Sequence, residues 1–283
     1  MRRMPCRVWA TCFEGTAAGC GPGLLVIIGA VKKRADPLPE VNFSEYDEVR
    51  YLHLGTEWVQ GSMRVDAPFD IELEYVQRMM AWLLFVEPES VTRRHAMQLG
   101  LGAASLTKFC HKKLRMRTTA IELNPQVVAA CRLWFKLPPD GPRLSVVLGD
   151  AAQVAAHDHW RGSIDALQVD LYDHEAAAPV LDSETFYADC RRLLTDDGCM
   201  TVNLFGRSSS YGHSLQKICA AFGPAAVWAF KPTREGNTVV LALRTAQHPA
   251  RTVLAERAET IQTRWTLPAA KWLRVFKPVI ENP

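Results

Sequence analysis

The chain has 283 residues, 48% of them hydrophobic and 22% charged, and carries a formal net charge of +3. That length allows one or two domains, and the apolar fraction fills a sizeable core. The charge balance is ordinary, and without a basic stripe or an aromatic-interleaved Lys/Arg cluster it gives no case for nucleic acid.

Residues 1–38 lack sustained periodicity and read as a poorly structured extension, or as sequence upstream of the true start codon. Their apolar run GLLVIIGA is too short to cross a bilayer, and no signal-peptide core follows the leading arginines, so no membrane partner is expected. The same run has a second reading as a strand that joins the fold. Residues 39–90 are expected to form a small N-terminal β-domain with a linking helix. YLHLGTEWVQGSMRV alternates and carries Gly55 and Gly61, which suggests a hairpin or small meander. Asp70 then opens a helix in which Ile71, Tyr75, Met79, Trp82 and Leu83 recur at helical spacing, with Pro88 as its end.

Residues 91–283 show strand and helix patterns in alternation. RHAMQLG leads into ASLTKFCHKKL, and TTAIEL leads into PQVVAACRLWF, where Asn124 suits an N-cap and Pro125 a first helical residue. LSVVLGD, IDALQVD and CMTVNLF read as three more strands, with a helix from Ser183 to Leu194 closed by Gly198. The alternation predicts an α/β fold with a parallel sheet and helices on both faces. AAVWAF and NTVVLAL read as an antiparallel pair at one edge, and Leu254, Ala258, Ile261 and Trp265 mark a final amphipathic helix.

The cysteines form no CxxC pair and no zinc-like Cys/His group. Cys110, Cys131, Cys190 and Cys219 lie in apolar helical patterns and read as buried free thiols, which suits a reducing cytoplasm. His157 and His159 lie in AHDHWRG, which reads as a loop, and no metal is expected there. His111-Lys112-Lys113 reads as a solvated helix end.

Acids close the successive predicted strands: Glu122, Asp150, then Asp170 with Asp173 beyond it. In an open α/β sheet, ligands bind beyond the carboxyl ends of the strands. Gly100 and Gly102 offer a tight turn and close backbone approach, although the run lacks the third glycine of a dinucleotide fingerprint and the Lys-Ser/Thr of a P-loop. Glu122 lies roughly 20 residues on, where an acid accepts hydrogen bonds from ribose hydroxyls. Asp150 is placed to address an adenine edge. Asp170 and Asp173, three residues apart on the loop leaving the fourth strand, suit a cationic amine and supply a general base for it.

From Tyr46 to about Leu243 these residues resemble the spermidine synthase, or polyamine aminopropyltransferase, family. Asp170-Leu171-Tyr172-Asp173 is similar to the family's Asp-Ser-x-Asp element, AIELNP to its Glu-Ile-Asp-Pro segment and Gly149-Asp150-Ala151 to its Gly-Asp-Ala segment. Trp58-Val59-Gln60-Gly61 resembles the strand with a substrate-side Gln, Tyr75-Val76-Gln77 the Tyr-His-Glu helix start, and PVLDSETFYADCRRLLTDDG the helix after the catalytic loop. The resemblance implies a methyltransferase-like Rossmann domain behind a small β-domain. It implies decarboxylated S-adenosylmethionine as co-substrate without a prosthetic group, and putrescine or a similar polyamine as acceptor. Asp170 would be the base, Asp173 the amine's charge partner, Gln60 a contact beside the nucleoside, and Tyr75 and Gln77 contacts to the amine. A homodimer is compatible with this reading.

The sequence departs from the family at Ala103, where the glycine loop has a tail-binding Asp, at Val76 and Gln77, and at Thr233, where a Tyr is usual. Two alternatives follow from those departures: a methyltransferase using intact S-adenosylmethionine, and a non-catalytic protein that keeps the nucleoside pocket.

Overall fold

The computed structural model describes residues 38–172, 181–205 and 208–280. The strand reading of GLLVIIGA and the position of Asp173 lie outside them. The chain opens with an antiparallel meander of β1 (Val41–Tyr46), β2 (Val49–Leu54) and β3 (Gly61–Arg64). The single long helix expected from Asp70 is absent. In its place stand α1 (Glu74–Arg78) and a separate 3-10 turn at Ala81–Phe85. Every residue of that turn is buried, so it has no polar face for helical periodicity to reveal. Pro88 does not stop a helix; it starts another 3-10 turn, Pro88–Arg93, where its missing N–H costs nothing.

The main sheet then begins with β4 (His95–Leu99), followed by α2 (Ser105–Lys108), which continues as a π-helical turn over Phe109–Lys113. Next come β5 (Arg117–Glu122), α3 (Pro125–Trp134), β6 (Leu144–Leu148), α4 (Ala151–Ala156) and β7 (Ile164–Val169). Asn124 caps α3 as the sequence suggests, its side chain accepting from Gln126 N at 2.9 Å, with Pro125 as the first helical residue. The AHDHWRG stretch is a helix end and a 3-10 turn over Asp158–Trp160, not an open loop.

Ser183 caps α5 (Glu184–Leu193), and Leu194 already begins β8 (Leu194–Phe205). Gly198 therefore does not close the helix. It lies within the strand, where a Cβ would stand 2.7 Å from Ile164 O. After α6 (Ser208–Phe222), β9 (Val227–Phe230) and β10 (Asn237–Leu243) pair antiparallel as expected. The sequence pattern does not end at α7 (Arg251–Trp265): a short α8 (Ala269–Trp272) and β11 (Phe276–Pro278) follow and supply the true edge.

The eight strands run in the order β11-β9-β10-β8-β7-β4-β5-β6, parallel from β8 to β6 and antiparallel through β10, β9 and β11. This is a mixed α/β sheet of Rossmann type with a small β-meander beside it. Alternate strand residues enter opposite layers of core. Ala96, Ala166 and Leu241 join the layer of Trp82, Ile261 and Trp272, whereas Met97, Leu167 and Met200 join that of Val154, Tyr187 and Ile218.

Candidate active site

The parallel strands are laid down outward from β4 to β6 on one side and from β7 to β8 on the other. The direction of build-up therefore reverses between β4 and β7, and an open sheet leaves its ligand crevice at that reversal. Gly100 and Asp170 follow these two strands. Gly100 has φ +92°, and a Cβ on it would lie 2.3 Å from the carbonyl oxygen of Asp170. Glycine is thus required here both by backbone conformation and by the neighbouring strand end.

The turn continues beneath the N-terminal meander. A Cβ on Gly102 would lie 2.9 Å from Gln60 O, and one on Gly61 would meet Ala103 N at 2.7 Å. Ser105 Oγ donates to Ser62 O at 2.8 Å and so fastens the start of α2 to β3. The backbone of Gln60 therefore stands at the glycine turn. Ala103 is only 2% exposed under that contact.

Glu122 closes β5 and is tied to the same turn. Its Oε2 accepts from Leu101 N at 3.0 Å and its Oε1 from Asn124 N at 2.8 Å. Burial raises its pKa while these backbone donors pull the other way. Each carboxylate oxygen has a second lone pair, so a ligand hydroxyl can still donate to it. Asp150 stands two residues beyond the next strand, β6, and caps α4, Oδ1 accepting from Ala152 N at 2.8 Å. The structure thus brings Gly100, Gly102 and Glu122 together by hydrogen bond or close approach, with Asp150 two strand ends away from Gly100.

Asp170 is held by side chains from two other elements. Its Oδ2 accepts from Tyr75 Oη at 3.2 Å and its Oδ1 from Asn203 Nδ2 at 3.0 Å. Burial pushes its pKa up to about 6, against the lowering effect of the two donors. Burial and the Asp170 charge in turn hold the Tyr75 hydroxyl well above its ordinary range, so Tyr75 stays a donor. Tyr172 Oη donates to Asn203 O at 3.0 Å and accepts from Phe205 N, which fastens the segment after β7 onto β8. Gln77 is held locally instead, its Nε2 donating to Ile71 O at 2.8 Å.

Asn203, Asn237 and Tyr172 carry no role in the sequence reading. The available signal was polar residues within otherwise apolar strands: Asn203 is 3% exposed inside TVNLF, a position where a bare amide would be costly. Among the described residues, no group of three or more His, Cys, Asp or Glu side chains could hold a metal ion, and no helix is long and apolar enough to cross a membrane. The cluster offers a carboxylate of raised pKa, oriented by two neutral donors, beside a glycine turn with a second acid at its back. Such a set can accept a proton from one ligand while a polar, hydroxyl-bearing ligand lies along the turn.

No family model matches the chain. A polyamine aminopropyltransferase of Chromobacterium violaceum is 32% identical over 251 residues, which span 87% of this chain and 93% of that protein. Among solved structures, a probable spermidine synthase of Corynebacterium glutamicum superposes with a TM-score of 0.65 at 18% identity, covering 79% of this chain and 82% of its own. Human methyltransferase-like protein 13, in complex with SAH, gives 0.62 at 21% identity over 69% of this chain and 93% of its own. The two structures share the fold; the sequence match is what carries kinship. With about a third of its residues identical across nearly the whole of that relative, the chain belongs to the polyamine aminopropyltransferase family.

Proposed function

We propose that this protein transfers an aminopropyl group from decarboxylated S-adenosylmethionine to putrescine or a similar polyamine and releases methylthioadenosine. The observation that carries the reading is Asp170, clamped by Tyr75 and Asn203 at the strand reversal with a pKa raised to about 6. An amine at neutral pH arrives as an ammonium ion and must lose a proton before its lone pair can attack. Asp170 takes that proton. The freed lone pair bonds to the carbon beside the sulfonium, and the carbon–sulfur electrons return to sulfur, which leaves as a neutral thioether.

Glu122 would hold the ribose hydroxyls and Asp150 the adenine edge, while the Gly100–Gly102 backbone admits the nucleoside closely. Asp173 would pair with the acceptor's charge, Gln60 would lie beside the nucleoside, and Gln77 would line the approach to the amine. In this reading residues 39–90 cap the site and residues 91–283 form the nucleoside-binding body. Alignment of amine and carbon supplies much of the acceleration and needs no metal. The free thiols among the described residues suit a reducing compartment such as the cytoplasm.

A second reading, methyl transfer from intact S-adenosylmethionine, is favoured by one observation: Ala103 is buried against Gly61, so the turn presents no carboxylate there to repel a carboxylated tail. Calorimetry with methylthioadenosine, S-adenosylmethionine and its decarboxylated form, followed by product analysis with putrescine, separates the readings. Preference for the decarboxylated donor with an aminopropylated product is expected. A methylated product, or tight methylthioadenosine binding with no turnover of any amine, would overturn the proposal.

A further inference from the structure

Behind Asp170 lies a chain of amides that the reaction itself does not use. Asn203 Nδ2 donates to Asp170 Oδ1 at 3.0 Å, and Asn203 Oδ1 accepts from Asn237 Nδ2 at 3.1 Å. Asn237 opens β10 directly opposite Phe205 of β8, and its backbone is locked to the turn before it. Its N–H donates to Thr233 Oγ1 at 3.2 Å and its carbonyl accepts from Thr233 N at 2.7 Å. Asn203 itself is almost wholly buried, so its amide cannot exchange partners with bulk water.

An ionised carboxylate only accepts hydrogen bonds, so it demands the NH2 end of Asn203. That orientation turns the amide oxygen of Asn203 outward, where it needs a donor, and Asn237 supplies one. Reversing Asn203 would set its oxygen against the Asp170 carboxylate, an arrangement tolerable only if Asp170 holds a proton. The other titratable groups facing Asp170 among the described residues are Tyr75 from α1 and Tyr172 from the segment after β7. Both are held far above neutrality and so cannot substitute as a pH-dependent lock.

We infer that Asn237 is a positioning residue: through Asn203 it fixes which end of that amide meets Asp170, and so keeps the carboxylate ionised and ready to take the amine's proton. The inference rests on the proposed role of Asp170 only in its last clause. The orientation lock is a property of the free protein and can be read without any substrate.

The test is a double-mutant cycle of Asn203→Ala and Asn237→Ala. The Asp170 carboxyl is titrated by carbon-13 NMR in the full-length protein and assigned by its loss in Asp170→Asn. Asn203→Ala should raise the Asp170 midpoint by about one unit, the size expected for losing a hydrogen bond to a charged group. Asn237→Ala should raise it by less, and should add nothing in the Asn203→Ala background. Were Asn237→Ala to fold poorly, Asn237→Ser, too short to reach Asn203 Oδ1, reads the same effect. Unchanged titration in the Asn237 variants, or shifts that simply add, overturns the relay. The acidic limb of turnover against pH is measured in parallel. If the Asp170 midpoint moves and that limb does not, the relay stands and Asp170 is not the base.

Discussion

Tyr75 and Asp170 meet at 3.2 Å although one belongs to the short helix that follows the N-terminal meander in the chain and the other follows the fourth strand of the main sheet. The distance is long for a hydroxyl–carboxylate bond, which leaves room for it to shorten when a ligand closes the crevice. Its removal in Tyr75→Phe deprives the ionised carboxylate of one donor. The acidic limb of the pH–rate profile should then move up by about half to one unit. A limb that stays in place while turnover falls would assign Tyr75 to substrate contact alone.

Asp170→Asn keeps the size of the side chain but cannot accept the amine's proton. Turnover should fall about 10²–10⁴-fold with little change in methylthioadenosine affinity, and the deficit should shrink as pH approaches the pKa of the amine. The same variant has a stability signature. Asp170 is raised from its ordinary 3.8 to about 6, so between those values the folded protein binds more protons than the unfolded chain. Its contribution is therefore greatest below pH 4 and is lost as pH rises through 6. Relative to wild type, Asp170→Asn should gain up to about 2–3 kcal/mol between pH 4 and pH 7. Thermal unfolding across that range measures it, and a difference independent of pH would refute the burial argument.

If Glu122 holds the ribose as proposed, Glu122→Gln should weaken methylthioadenosine binding by roughly 1–2 kcal/mol, because charge-assisted hydrogen bonds become neutral ones. The hydrogen bonds to Leu101 N and Asn124 N add a second consequence. A glutamine must turn its NH2 toward one of those backbone donors, so the ligand-free protein should also lose stability. Calorimetry and ligand-free denaturation together check this; lost affinity at unchanged stability would mean that the turn does not depend on the carboxylate.

Lys108 offers a test away from the crevice. Its Nζ donates to Phe135 O at 2.7 Å in a fully buried setting, and burial pushes its pKa from 10.5 down to about 8. Between those values the unfolded chain binds more protons, so wild-type stability should rise with pH over that window. Lys108→Met lacks the titration, and the wild type should gain up to about 3 kcal/mol on it between pH 8 and pH 10.5. Urea denaturation at both ends decides the matter. A constant difference would mean that Lys108 keeps its proton when folded.

The strand-end positions of Glu122, Asp150 and Asp170 were legible because each follows an apolar run and strand direction fixes where that end points. Asn124 was legible for a similar local reason, since a cap bonds within three residues of itself. Asn203 and Asn237 were not: each is one amide in an apolar strand, and the partners that give it meaning lie more than 30 residues away. Ala81–Phe85 escaped because burial on all sides erases periodicity, and β11 because three residues carry none. Its place is set instead by Phe276 stacking on Phe230 at 4.5 Å.

The contact between Gly61 and Ala103 also governs how the protein comes into being. The meander leaves the ribosome first, yet the surface it leans on, the glycine turn, is made later, and Asp170 later still. Until that surface exists, Leu52 and Met63, both buried against the turn and its neighbouring helix, have nothing to cover them. The early strands are thus a half-built wall awaiting its counterpart, exposed to chaperones and proteases during synthesis. Any ligand that binds the finished turn holds the late-arriving half in place and so favours the folded chain.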